Sequence, residues 1–246
     1  LDEYWLSTSR PIEREGKHRL FMERQGKDGV ERVHIRYQKL DTFGGERLVL
    51  HLIEENRLAT SINMIVNTEA EQSILKRWSQ ASSGLILISG RSGSGKTTTA
   101  YCLLQEISRA DDRVIFTMED SVEFALERVN QVSVDLSNEG DYRRTFVDIM
   151  NSDLDVLFIS SNFAQRHRSI LWSSALSAAE SGHLVLVQLE ADSVEDARNQ
   201  FNHATNRSMD DHLVGVVWQS LKNDPKGEGR VAQYDFFSGS LDDLTN

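Results

Sequence analysis

The sequence predicts an α/β protein: a mainly parallel sheet flanked by helices, preceded by part of a small β-rich N-terminal domain. Three observations predict it. From Gly84 onward, short continuous apolar runs alternate with helical patterns, as strands buried on both faces do beneath covering helices. Before residue 60, two alternating runs flank a glycine-containing loop, the pattern of a hairpin. Between Leu85 and Leu104, an apolar strand passes through "GRSGSGKT" into a helical pattern.

Residues 1–28 are mixed and highly charged, with weak periodicity. In "VERVHIRYQKL", Val33, Ile35 and Tyr37 share one face, and "ERLVLHLIEE" follows after "DTFGG". A boundary is expected near residues 60–68, dividing the chain into 1–62 and 63–246. "NTEAEQSILKRWSQASSG" reads as a helix: Thr68 and Glu71 have capping-box spacing, and Ile74, Leu75 and Trp78 supply the apolar face. Strands are expected at 85–89, 113–119, 129–134, 155–160 and 183–189. Helices are expected at about 95–109, 141–151, 168–181, 193–204 and 209–221. "GRVAQYDFF" reads as an extra strand.

Bulk properties exclude several classes. With 246 residues, the chain suffices for one large α/β domain, or one domain plus a smaller one. Hydrophobic content is 39%, and no apolar run approaches the ~20 residues of a membrane span. No basic segment followed by an apolar stretch signals secretion. The chain opens on Leu1 rather than Met, as a fragment or processed chain does. The lone Cys102 rules out an internal disulfide and a multi-cysteine zinc site, and fits a reducing cytosol. A net charge of −11 opposes general affinity for nucleic acid or anionic lipid.

"GRSGSGKT" at 90–97 matches G-x-x-x-x-G-K-[ST] at every fixed position. An ordinary Gly/Ser turn is the bland reading. The full pattern between a buried strand and a helix favours a phosphate cradle. Gly90, Gly93 and Gly95 permit backbone angles that let successive N–H groups turn inward. Those donors and the positive helix end attract phosphate oxygens. Lys96 is placed to reach the β- and γ-phosphates, and Thr97 to join a Mg²⁺ shell.

Further stretches carry a resemblance. "GRSGSGKTTTAY", "FTMEDSVEF", "DLDVLFIS" and "SGHLVLVQLEADSVEDA" are similar, in order and spacing, to the phosphate loop, acidic box, G-E-I-R-D strand and His box of one ATPase family. That family powers type II secretion, type IV pili and competence pseudopili. "RYQKLDTFGGERLVLHLI" resembles its domain preceding the motor core, and "GGERLVLHLI" favours assembly or secretion members. The resemblance implies a P-loop NTPase (RecA-like) fold that binds ATP with Mg²⁺. It implies nucleotide contacts from Gly93, Ser94, Gly95, Lys96, Thr97 and Thr98, and metal contacts from Thr97 and Asp120. Catalytic roles fall on Glu119, Glu123, His183 and Arg36. It also implies a hexameric ring acting on a membrane platform protein. The chain would then be cytoplasmic, peripherally membrane-associated through partners, and without sequence-specific nucleic acid.

The departures bear on chemistry. The family glutamate falls on Ser161, its glycine on Ser160, its arginine on Phe163 and its aspartate on Ala164. The second box histidine is Glu190, which reads equally as a nucleotide-facing acid or a solvated carboxylate. A second arginine of the preceding domain is His51, the acidic-box proline is Ser121, and the four-cysteine zinc motif has no counterpart. A serine hydroxyl is a poor base, and general acid–base help is worth roughly 10²–10⁴ in rate. Two functions therefore stay open: a motor ATPase, or a nucleotide-binding subunit that hydrolyses slowly or not at all. A kinase-like transferase has no acceptor signature.

Overall fold

The computed structural model describes residues 5–6, 19–26, 29–54, 59–135, 138–160, 165–223 and 230–241. The chain divides into two compact units, Leu1–Leu58 and Ala59–Asn246. The second unit begins where the Ala59 carbonyl accepts a contact from the Cys102 thiol and Ile62 becomes fully buried.

The first unit is an antiparallel sheet of four strands in the order β1 (Trp5–Leu6), β2 (Arg19–Gly26), β3 (Gly29–Thr42) and β4 (Gly45–Glu54). The hairpin expected around "DTFGG" is present: Thr42 pairs with Gly45 across a two-residue turn. Gly45 has φ +126°, and the Thr42 hydroxyl donates to its carbonyl at 2.6 Å. Val33 and Ile35, on the face expected from their spacing, are buried. Strand β2 was hidden in the sequence, because Phe21 and the charged Arg24 break its two-residue period.

The second unit opens with a 3-10 turn at Ile62–Met64 and helix α1 (Glu69–Ser79). The expected capping box is formed: the Thr68 hydroxyl accepts the Glu71 N–H, and the Glu71 carboxylate accepts the Thr68 N–H. Then follow β5 (Gly84–Ser89), α2 (Lys96–Ser108), β6 (Ile115–Glu119), β7 (Asn130–Ser133), α3 (Glu139–Met150) and β8 (Val156–Ile159). The chain continues through α4 (Gln165–Glu180), β9 (Leu184–Leu189), α5 (Val194–Thr205), β10 (Leu213–Asn223) and β11 (Arg230–Ser238).

These strands form one seven-stranded sheet in the order β11-β10-β5-β9-β8-β6-β7. Only β10 and β11 pair antiparallel, so the sheet is mainly parallel, as expected. Every residue of β5, β8 and β9 is buried, which explains their continuous apolar runs. Trp172 of α4 stacks on Phe201 of α5 at 5.4 Å beneath the sheet.

The helix expected at 209–221 is not formed. Residues 210–212 make a short 3-10 turn, and β10 follows. Leu213, Val214, Val216 and Val217 happen to fit helical spacing, but they are buried on both faces of a central strand. Gly215 marks a register shift in that strand, where a Cβ would meet the Trp78 ring at 2.0 Å.

Candidate functional site

The loop between β5 and α2 is shaped by glycine. Gly90, Gly93 and Gly95 have φ of +143°, +73° and +88°. At Gly90 a Cβ would stand 2.3 Å from the Gln219 carbonyl oxygen, so only glycine fits without a shift. At Gly93 a Cβ would meet nothing within 4 Å, which leaves the outer side of the loop open. Gly95 caps α2 in the left-handed conformation with no side-chain cap, so the first-turn N–H groups keep their capacity for an anion.

Three side chains fix this loop from neighbouring strands. From β10, Gln219 Nε2 donates to the Ser94 carbonyl at 2.7 Å. From β9, Gln188 Nε2 lies 3.5 Å from Thr97 Oγ1. Beyond β9, Asp192 Oδ1 pairs with Arg91 Nε at 2.8 Å. The buried Ser94 hydroxyl has no partner among the described residues.

Lys96 is only 5% exposed. Its ammonium donates to the carbonyls of Gly90 and Arg91, both at 2.9 Å. Burial pulls its pKa below the ordinary lysine range, and the nearby Glu190 carboxylate pushes back upward. Its two carbonyl partners hold the amine against the loop backbone, placed to be exchanged for phosphate oxygens. A cavity of about 300 Å³ opens beside the loop, with Gly95, Thr98 and Thr99 on one side and Ile65, Asn67 and Tyr234 on the other. All six residues expected to hold nucleotide thus belong to one structure: Gly93 to Thr98 form the loop and the first turn of α2.

The acidic box begins at the end of β6. Glu119 ends β6 fully buried, where the Tyr101 hydroxyl donates to Oε2 and the Thr117 hydroxyl donates to Oε1 at 2.6 Å. Tyr101 also accepts the Glu123 N–H at 3.1 Å. Burial first, and then the Glu119 charge, push the Tyr101 phenol far upward, so it stays a donor. Tyr101 lies on α2 five residues after Lys96, about 7.5 Å along the helix axis. Glu119 is thereby linked to the cradle through α2. Strand β6 itself is three places from β5, on the order of 14 Å across the sheet. Asp120 and Glu123 follow it, half-buried, and the Asp120 carbonyl accepts the Ser133 hydroxyl.

His183 is not brought to the cradle. Its Nδ1 lies 3.0 Å from the Ala178 carbonyl, and its own carbonyl accepts the Gly84 N–H at 2.9 Å. Strand β9 starts beside it and reaches the loop only at its other end, roughly 20 Å away. The box that looked like one motif spans both ends of a strand. Arg36 lies on β3 of the first unit, where its backbone stands opposite Arg19 and His51. Ser161, Phe163 and Ala164 fall outside the described residues. Ser160 is described: its N–H donates to the Met118 carbonyl at 3.1 Å, and its buried hydroxyl has no partner among the described residues.

Sequence reasoning missed Gln188, Gln219, Tyr101 and Asp192. A signal was present for two of them. A glutamine inside "LVLVQL" or "VVWQS" interrupts a buried apolar run, and a buried amide needs a partner.

Thr97 and Glu190 offer the hard oxygen donors that Mg²⁺ takes. Among the described residues, no group of three or more His, Cys, Asp or Glu forms a protein cage for a metal. Mg²⁺ seldom uses one, since it retains waters and binds substrate phosphates with one or two protein oxygens.

Sheet order, glycine loop and buried lysine together define a P-loop NTPase-type α/β fold. Residues 24–227 match the family described as Type II/IV secretion system protein, and the chain belongs to that family. It is 31% identical over 195 residues to the putative type II secretion system protein E of Escherichia coli K12, covering 78% of this chain and 38% of that one. It is 32% identical over 161 residues to type II secretion system protein E of Aeromonas hydrophila, covering 65% of this chain and 31% of that one. The chain thus spans well under half the length of these curated relatives. Its fold resembles the Legionella pneumophila ATPase DotB, with TM-score 0.68, 17% identity and coverage of 87% and 61% of the two chains. It also resembles the pilus retraction motor PilT with bound ADP, with TM-score 0.64, 22% identity and coverage of 92% and 66%. Among the described residues, no helix is long and apolar enough to cross a membrane.

Proposed function

We propose that this chain is the nucleotide-binding part of an ATP-driven motor serving a type II secretion, type IV pilus or competence machine, of the assembly type. It would work as a hexameric ring, in the cytoplasm, against a membrane platform protein. The observation that carries the reading is the glycine loop with Lys96 buried against its carbonyls. Loop amides and the uncapped end of α2 take the phosphate oxygens. Lys96 turns from the Gly90 and Arg91 carbonyls to the phosphates, and Thr97 offers its hydroxyl to the metal. The cavity beside Thr98 receives the nucleoside. Bound Mg²⁺ would neutralise developing phosphate charge. Glu119 acts through Tyr101 on the pitch of α2, with Glu123 and Asp120 beside it. Family likeness implies a phosphate-reaching role for Arg36 and a sensing role for His183, the latter at the end of β9 away from this chain's own cradle; Arg36→Ala and His183→Ala test them.

A second reading is a subunit of the same machinery that binds nucleotide without hydrolysing it. The serine at position 161, in place of the family glutamate, favours it. One experiment separates the two. ATP affinity and steady-state phosphate release are measured at ring-forming concentration for the wild type, Lys96→Ala and Ser161→Glu. The motor reading expects clear turnover that Lys96→Ala abolishes. The second expects tight binding, negligible turnover and a gain in Ser161→Glu. Absence of ATP binding by the wild type would sink both.

A further inference from the structure

We propose that the Glu190 carboxylate is the acid of this nucleotide site, placed beside the cradle to hold a water of the Mg²⁺ shell and so to make ATP uptake depend on the metal. The proposal rests on the reading of the cradle as a triphosphate site, and it names the acid that site uses.

Strand β9 lies between β5, which leads into the cradle, and β8, which leads to Ser161. A residue at the end of β9 is therefore one strand nearer the cradle than one at the end of β8, a difference of about 4.8 Å. The register places it closely. Ser89 pairs with Leu189, so Glu190 follows level with Gly90, where the loop begins.

Two contacts bracket this position. Gln188, two residues before, sets its amide 3.5 Å from the Thr97 hydroxyl. Asp192, two residues after, pairs with Arg91 at 2.8 Å. The segment 188–192 thus lies along the loop, with Glu190 at its centre. Glu190 is exposed, so water reaches it, and its charge is felt by the buried Lys96 ammonium. Asp192 is occupied by Arg91, whereas the described structure gives Glu190 no hydrogen-bonded partner. A neutral serine stands at 161, after β8, whereas a carboxylate stands at 190, after β9.

A fixed carboxylate next to a phosphate cradle repels bare ATP and accepts MgATP, because the cation and its waters stand between like charges. Calorimetry on the full chain tests this, titrating ATP with excess Mg²⁺ and ATP with EDTA. The wild type is expected to bind MgATP far more tightly than metal-free ATP. In Glu190→Gln, metal-free ATP should bind about tenfold tighter, and the ratio of the two affinities should fall accordingly. Glu195→Gln, at an exposed acid of the first turn of α5, should leave that ratio in place. A ratio unchanged in Glu190→Gln overturns the proposal while the triphosphate reading stands. A ratio that falls equally in Glu195→Gln also overturns it, since diffuse charge would then be the cause. Failure of the wild type to bind either form removes the triphosphate reading itself, and this proposal with it.

Discussion

Lys96 shows how a single residue is kept ready at some cost to the fold. An ammonium buried against two carbonyls is poorly compensated for the water it has lost. Lys96→Met should therefore abolish ATP binding yet raise the melting temperature of the nucleotide-free chain by about 2–4 °C, the change expected from ~1 kcal/mol in a protein of this size. A binding assay paired with thermal melts checks both halves, and a variant that melts lower would contradict the account. The pH dependence has a definite sign. Burial lowers the lysine pKa in the folded chain below its ordinary 10.5, so between the two values the unfolded chain holds more protons. The cost of the buried charge is present in full below the folded value and disappears as pH rises to 10.5. The nucleotide-free wild type should thus gain stability with pH across that window relative to Lys96→Met, as urea titrations at stepped pH would show.

Among the elements, local chemistry announced itself where it was self-contained. The capping box of α1 was readable because Thr68 and Glu71 satisfy each other's backbone within one turn. The fully apolar strands β5, β8 and β9 were readable because burial on both faces removes polar residues. Strand β10 was not, because its apolar residues fit two periods and only the sheet decides between them. Its neighbour β5 is far away in sequence, and no local rule records that pairing. The glycine in β10 gives a direct test of the strand assignment. Gly215→Ala would push a methyl group into the buried Trp78, which also packs edge-on to Phe236 at 5.7 Å. Overpacking of this kind costs about 1–3 kcal/mol. Chemical denaturation should show that loss, whereas an exposed helix would gain stability from the same change.

Over the whole molecule, alternating apolar runs lie in the first compact unit and continuous ones in the second. The glycine loop was readable as a loop because its three glycines and the lysine fall within one seven-residue stretch, 90–96. The acids around it were not, because their placement depends on strand order. Family likeness favoured Glu119 over Glu190, yet Glu190 follows the strand beside β5 and Glu119 ends a strand three places away. Ring assembly belongs to this scale too. Sedimentation velocity with MgATP should show a hexamer, and a monomer at micromolar concentration would count against the proposed motor.

Cys102 has a practical consequence. Its thiol is buried on α2 against the Ala59 carbonyl, and burial pushes its pKa up to about 12. It is the sole cysteine in the sequence. Maleimide dyes react with thiolates at accessible positions, so the native chain already behaves as a silent background for labelling. A reporter cysteine introduced at the exposed Phe43 or Val147 would carry the only fluorophore, and the hairpin tip or α3 could be followed by light without redesigning the interior.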